Sequence, residues 1–129
     1  MVEKFQKILE SIEKTKSSVI VFALLKMDEF VDKWTVVFCA SWATDANRTE
    51  VFEIIRKEIR ATLTPEEVGE IARIAIYPKT EHFIQELLQY KSGTTIENEK
   101  INGNTVHYAH IIKSEVEASV KTSSFASKV

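Results

Sequence analysis

Residues 34–42 read Trp-Thr-Val-Val-Phe-Cys-Ala-Ser-Trp, and this stretch is the most informative one about the fold. Successive side chains of a strand point to opposite faces, so the apolar residues divide into two sets. One face carries Trp34, Val36, Phe38, Ala40 and Trp42, and the other carries Thr35, Val37, Cys39 and Ser41. Because both faces are largely apolar, residues 34–42 are predicted to form a central strand of a sheet.

The sequence before this strand predicts a helix and a second buried strand. Residues 19–25 read Val-Ile-Val-Phe-Ala-Leu-Leu, an apolar run without alternation that is typical of a strand covered on both faces. A short run of this kind also fits a helix, but the β-branched residues at its start favour a strand. Further upstream, apolar side chains recur at helical spacing and predict an amphipathic first helix over residues 2–15: Val2, Phe5, Ile8, Leu9 and Ile12.

The sequence after the strand predicts two helices and a third strand. Thr44, Asp45 or Asn47 can cap the first of these helices, which is expected to run to about Ala61, and residues 47–50 have the spacing of a capping box. In residues 63–67, Leu-Thr-Pro-Glu-Glu, a threonine cap, a proline at the first helical position and a glutamate three residues after the cap predict a shorter helix. Residues 71–77 then read as a strand that Pro78 stops, and the order strand, helix, strand predicts a parallel crossover.

The last third of the chain predicts a helix and a hairpin. Thr80 is a candidate cap for an apolar helical stripe that Gly93 is expected to close. The dipeptide Asn102-Gly103 suits a two-residue type I′ turn, so residues 94–101 and 104–113 are predicted to pair as a hairpin. The first hairpin strand is polar and is therefore expected at a sheet edge or protruding from the sheet.

These elements predict a single α+β domain over residues 1–113. Its mixed sheet of about five strands is packed with amphipathic helices, in the order α-β-β-α-α-β-α-β-β. A chain of 129 residues, 44% of them hydrophobic, is long enough for one core and short for two. Residues 114–129 are rich in serine and weakly patterned, and they are predicted to form a flexible or weakly helical tail.

Composition argues against binding to nucleic acid or membranes and against an internal disulfide. The 17 basic and 19 acidic residues leave a formal net charge of −2, so no bulk charge attracts nucleic acid or anionic lipid. Residues 1–16 lack the apolar centre of an export signal, and residues 19–25 are far shorter than the roughly 20 apolar residues that span a bilayer. The single cysteine, Cys39, excludes an internal disulfide. We expect a cytoplasmic protein that binds neither membranes nor nucleic acid.

Residues 33–42, together with residues 63–67 and 72–76, resemble a group of short bacterial proteins without an assigned activity. The resemblance covers about the middle half of the chain. In that group an aspartate follows the first tryptophan and a proline precedes the second, where this sequence has Thr35 and Ser41. The resemblance implies a bacterial cytosolic protein and assigns no catalytic residue.

No motif for catalysis, metal binding or cofactor binding is present. Cys39 lies in mid-strand between apolar neighbours, where a cysteine is usually a small buried hydrophobe rather than a nucleophile. His107 and His110 are three residues apart on one strand and point to opposite faces, so they cannot easily join His82 around one metal ion. Pairing about the turn sets His107 opposite Asn98 and His110 opposite Thr95. With three glycines, the chain cannot build the common nucleotide-binding loops, and we expect no metal and no cofactor.

The most site-like segment is residues 41–48, which leave a central strand and enter a helix. Open sheets bind ligands outside such strand ends, and the free amides of a helix N-terminus favour anions. The candidate ligand-binding residues are Ser41, Trp42, Thr44, Asn47 and Arg48, with Arg73 approaching from the neighbouring strand. The structural alternative is that Trp42 packs, Asn47 caps and Arg48 is solvated.

Two functions follow from these features. The first is a non-enzymatic protein-interaction module that self-associates as a homodimer through the hairpin or the first helix, or that binds an unidentified protein. The alternative is a small ligand-binding protein or enzyme that holds an anionic small molecule at residues 41–48. The sequence leaves open whether the protein is an enzyme and favours a non-enzymatic role.

Overall fold

The computed structural model describes residues 1–27 and 32–115. The described residues form a five-stranded mixed sheet with helices, which confirms the predicted α+β class. The predicted tail lies outside this part of the chain from residue 116 onward. The elements are α1 (Val2–Thr15), β1 (Val21–Met27), β2 (Trp34–Cys39), α2 (Arg48–Thr62), α3 (Pro65–Val68), β3 (Ile71–Ile76), α4 (His82–Leu87), β4 (Thr95–Ile101) and β5 (Asn104–Ser114).

The strands lie side by side in the order β3-β2-β1-β5-β4. β2 and β3 pair in parallel, as the strand-helix-strand order predicts, and the other neighbours are antiparallel. β1 therefore occupies the centre of the sheet, and the polar strand β4 forms one edge, as expected. The opposite edge is β3.

Both faces of the sheet carry a buried core, which explains why β1 and β2 are apolar throughout. On one face α1 and α2 cover an aromatic cluster in which the Phe22 ring lies 5.8 Å from that of Phe5 and 5.9 Å from that of Phe38, measured between centroids. On the other face α4 covers a second core that includes Val37 and the fully buried Cys39. Cys39 is thus a core residue, as its apolar neighbours in the sequence predict.

Several predicted boundaries differ from those of the structure, and backbone hydrogen bonds account for the differences at the end of β2 and at Gly93. β2 ends at Cys39 rather than Trp42, since the Ala43 amide donates to the Ala40 carbonyl at 3.1 Å and turns the chain. α4 begins at His82, and Thr80 does not cap it. Gly93 does not close α4 either; it has a φ of +90° and its amide donates to the Ile111 carbonyl at 2.7 Å, just before β4.

The C-terminal boundary of the domain lies slightly later than predicted. Ser114 is the last residue of β5 rather than the first residue of a tail. Its amide donates to the Ser92 hydroxyl at 2.9 Å, and its own hydroxyl donates to the Leu87 carbonyl at 3.0 Å. These bonds hold the end of β5 against the segment that leaves α4.

The hairpin has the predicted turn and register, with one irregularity. Asn102 and Gly103 have φ values of +52° and +79°, as a type I′ turn requires, and Thr95 pairs with His110. Asn98 lies opposite His107 in a register that is the same on both sides, as predicted, but the ladder skips this pair and Asn98 has a φ of +50°. The register of β1 with β5 shifts at the same point, because His107 is an extra residue of β5 between the partners of Lys26 and Met27.

Candidate functional site

The junction after β2 is organised by the side chain of Asn47. Its Oδ1 accepts the Thr44 amide at 2.7 Å, and its Nδ2 donates to the Trp42 carbonyl at 2.8 Å. These bonds shape a 3₁₀ turn at Asp45–Asn47 that leads into α2. The capping box thus joins Thr44 to Asn47, one turn earlier than the box predicted for residues 47–50, because the chain turns before α2 begins.

Trp42 has a packing role rather than a ligand-binding one. Its indole N–H donates to the Ser18 carbonyl at 3.0 Å, and its ring centroid lies 5.6 Å from that of Phe38. With Asn47 engaged in capping, two of the six predicted site residues follow the structural alternative. The signal for this was already in the sequence, since Trp42 continues the alternation of the β2 face that α1 and α2 cover.

The other junction residues line a cavity of about 380 Å³ at the carboxyl ends of β2 and β3. Ser41, Thr44 and Arg48 line one side, as predicted, and the segment after β3 supplies Tyr77, Pro78, Lys79 and Thr80. Arg48 lies 3.5 Å from the Asp45 carboxylate, and both side chains are largely exposed. The cavity therefore combines two cations, several hydroxyl groups and one carboxylate. Sequence reasoning missed Lys79 because the pairing of β2 with β3 brings it there.

Arg73 does not reach the junction cavity. It lies three residues before the end of β3, a distance of about 10 Å along a strand. It lines a separate groove of about 340 Å³ between α2 and β3. Arg73 therefore does not join the junction cavity as predicted, and the groove that it lines is a second candidate site.

This second site, the β3 groove, has an apolar floor and a basic rim. Phe52, Ile59, Val68, Ile71 and Ile74 form the floor, and Arg56 and Arg60 on α2 supply the charge. Ala72 and Arg73 complete the lining, but Arg73 pairs with Thr35 and its side chain therefore lies on the face of the sheet opposite to α2. No acidic side chain lines the groove within the described part of the chain. Arg56 bonds to Glu53 at 3.2 Å, and Arg60 is exposed. The sequence analysis did not identify this groove, because it forms only where α2 docks beside β3.

In the part of the chain that the structure describes, no strand pairs with the outer side of β3 along this groove. In parallel pairing, alternate residues direct their amide and carbonyl groups to the neighbouring strand. The Tyr77 amide donates to the Phe38 carbonyl at 3.0 Å, so Arg73 and Ala75 also face β2 and Ile74 faces outward. An irregularity in pairing lies at the start of the strand, and Arg73–Ile76 pair with β2 without interruption.

The histidines are not arranged as a metal site. His110 packs between aromatic rings, with centroids 5.0 Å from Tyr108 and 5.6 Å from Trp34, and burial lowers the pKa of its imidazole. Over residues 1–27 and 32–115, no group of three or more His, Cys, Asp or Glu side chains is placed to hold a metal ion. In the same ranges no helix has the length and apolar character needed to cross a bilayer.

The chain matches no protein-family model, and no curated protein or solved structure is significantly similar to it. The resemblance of residues 33–42 to short bacterial proteins stays a prediction.

Proposed function

We propose that this protein is a non-enzymatic interaction module that pairs the open edge of β3 with an extended strand of another polypeptide. One observation carries the proposal: four consecutive residues of β3, Ile71 to Ile74, line an apolar groove at the edge of the sheet. An edge strand offers unpaired amide and carbonyl groups to an incoming chain, and a neighbouring groove can hold alternate side chains of that chain.

The other surfaces considered for interaction are less suitable. The apolar side chains of α1 at Phe5, Ile8, Leu9 and Ile12 are already buried, and only Val2, 38% exposed, extends outward. β4 carries the exposed residues Glu97, Asn98, Glu99 and Lys100, and charge on an edge strand opposes pairing. A homodimer through the hairpin therefore stays a prediction from the sequence. A bacterial, cytoplasmic location is part of the proposal, and the single buried cysteine fits a reducing compartment.

The test selects binding peptides from a displayed random library and then changes only the peptide backbone. An added strand uses every second amide to pair. A selected peptide with N-methyl groups on one set of alternate amides should lose binding, and the same peptide methylated on the other set should retain it. Equal loss with both sets, or binding by no peptide, would contradict pairing at an edge. The protein stays unaltered, so folding does not confuse the result.

A second candidate function is binding of a small anion in the junction cavity. The gathering of Arg48 and Lys79 beside Ser41 and Thr44 at two strand ends favours it. Inorganic phosphate should then raise the melting temperature of the wild type in a saturable way, because a ligand that binds the native state stabilises it. The shift should vanish in Arg48→Ala and persist in Arg56→Ala, whose arginine lies in the other groove. A shift that survives Arg48→Ala would reject this site.

A further inference from the structure

The geometry points to an acidic, extended segment of a different polypeptide as the occupant of the β3 groove. This inference rests on the proposed pairing at β3 and adds the chemistry of the partner. It uses two properties of the groove, its half-buried apolar floor and the sign of the charge around it. The charge is an observation that the proposed function does not use.

The apolar floor favours a strand with alternating character. Phe52, Val68, Ile71 and Ile74 are each only partly buried by the chain itself. A strand added beside β3 would direct every second side chain toward α2, where these residues lie, and the intervening side chains toward the other face of the sheet. Apolar residues at every second position would therefore complete the burial of the floor.

The charge of the groove selects against basic partners. Arg56 and Arg60 lie on α2 beside the groove, and no carboxylate lines it in the described ranges. Arg60 is exposed on α2 and can reach an occupant at its rim. A guanidinium group binds carboxylates through paired hydrogen bonds, so acidic side chains on the added strand would be preferred.

The same charges disfavour a second copy of the chain as the occupant. Two β3 strands paired in antiparallel fashion about a twofold axis would place their α2 helices on the same face of the joined sheet. Arg56 and Arg60 of each copy would then meet along one seam, and like charges that meet across an interface oppose association. The strand β3 itself reads Ile-Ala-Arg-Ile-Ala-Ile and brings no acid to compensate.

The experiment sequences the peptides that the random library yields, each about ten residues long so that a peptide spans a strand. Selected peptides should be rich in Asp and Glu and should alternate these with apolar residues. Their affinity for the wild type is then compared by fluorescence anisotropy with that for Arg60→Glu and for Lys7→Glu, at an exposed residue of α1. The second variant carries the same charge change outside the groove.

Arg60→Glu should weaken binding by at least about tenfold, the effect of losing one charge-assisted hydrogen bond, while Lys7→Glu should leave it within about twofold. Circular dichroism melting checks that both variants are folded. Neutral or basic peptides that obey the N-methyl pattern and ignore Arg60→Glu would overturn the acidic partner and leave the interaction module standing. Peptides that ignore both the N-methyl pattern and Arg60→Glu would overturn both proposals. Nucleic acid that displaces an acidic peptide and binds more tightly would also overturn the acidic partner.

Discussion

The two edges of the sheet differ in how they meet solvent. β4 carries charged residues and an irregular backbone at Asn98, whose φ is +50°, and both features protect an edge strand from pairing. β3 is apolar except for Arg73, is half-buried along most of its length and borders a groove. The difference shows that only β4 has the features of a protected edge, and β3 is the edge at which we propose binding.

The largest expected effect is a loss of stability when a side chain is removed from the core that supports both edge strands. Phe38 is fully buried on β2 and packs on Phe22 and Trp42. Phe38→Ala should lower the free energy of unfolding by about 3–5 kcal/mol, the cost of deleting a buried phenyl ring. Chemical denaturation measures this value. If Phe38→Ala is as stable as the wild type, the Phe38 side chain does not contribute to a core that supports both edges of the sheet.

The next prediction changes the charge of each edge in turn. Replacing Arg56 and Arg60 by alanine removes repulsion at β3 and should promote association of the chain with itself, as a sedimentation mass that rises toward a dimer with concentration. The matched change at β4, Glu97→Ala with Glu99→Ala, should have a smaller effect because the irregular backbone at Asn98 remains. A reversed order of the two effects would break the comparison and would favour the homodimer through the hairpin.

Amide hydrogen exchange sharpens the comparison without any mutation. The Ile74 amide faces outward from β3, while the Arg73 and Ala75 amides face β2. Ile74 should therefore exchange faster than either neighbour, and an acidic peptide bound at β3 should slow the exchange of Ile74 most. If Ile74 is already as protected as Arg73 and Ala75 in the free protein, the β3 edge is not open and the proposed pairing fails.

The smallest effect concerns the short helix that leads into β3. Glu67 accepts the Lys4 ammonium at 2.7 Å and the Thr64 amide at 2.9 Å, and the Lys4 hydrogen bond is the main cause that lowers the pKa of its carboxyl to about 2. Because the folded pKa lies below the ordinary value of 4.5, Glu67 stabilises the fold above about pH 4.5 and loses this effect as the pH falls through about 2.

The measurement compares the melting temperature of Glu67→Gln with that of the wild type across this range. The variant should melt slightly lower at neutral pH, and the difference should narrow as the pH falls from about 5 toward 2. Glu66→Gln is a matched control, because the neighbouring Glu66 is exposed and has no hydrogen bond or ion pair in the described part of the chain. A gap that does not change with pH would show that the Glu67 charge contributes nothing.

Local signals predicted much of the fold. The apolar runs of β1 and β2, the threonine cap at Thr64 and the Asn102-Gly103 turn act within a few residues, so they can be recognised in the sequence. The predicted end of β2 was wrong because the Ala43 amide bonds to the Ala40 carbonyl and turns the chain. The Gly93 closure of α4 was wrong because the Gly93 amide bonds to the carbonyl of Ile111, which is distant in the sequence.

The α+β class, the parallel crossover and the polar edge could be predicted from the sequence, because periodicity, caps and turns are local signals. The identity of the second edge strand, the lining of the junction cavity and the position of Arg73 could not be predicted from the sequence. These features depend on the order and register of strands far apart in the chain. The side chains of α2 become one wall of a groove only when β3 lies beside them, and no pattern within α2 records that neighbour.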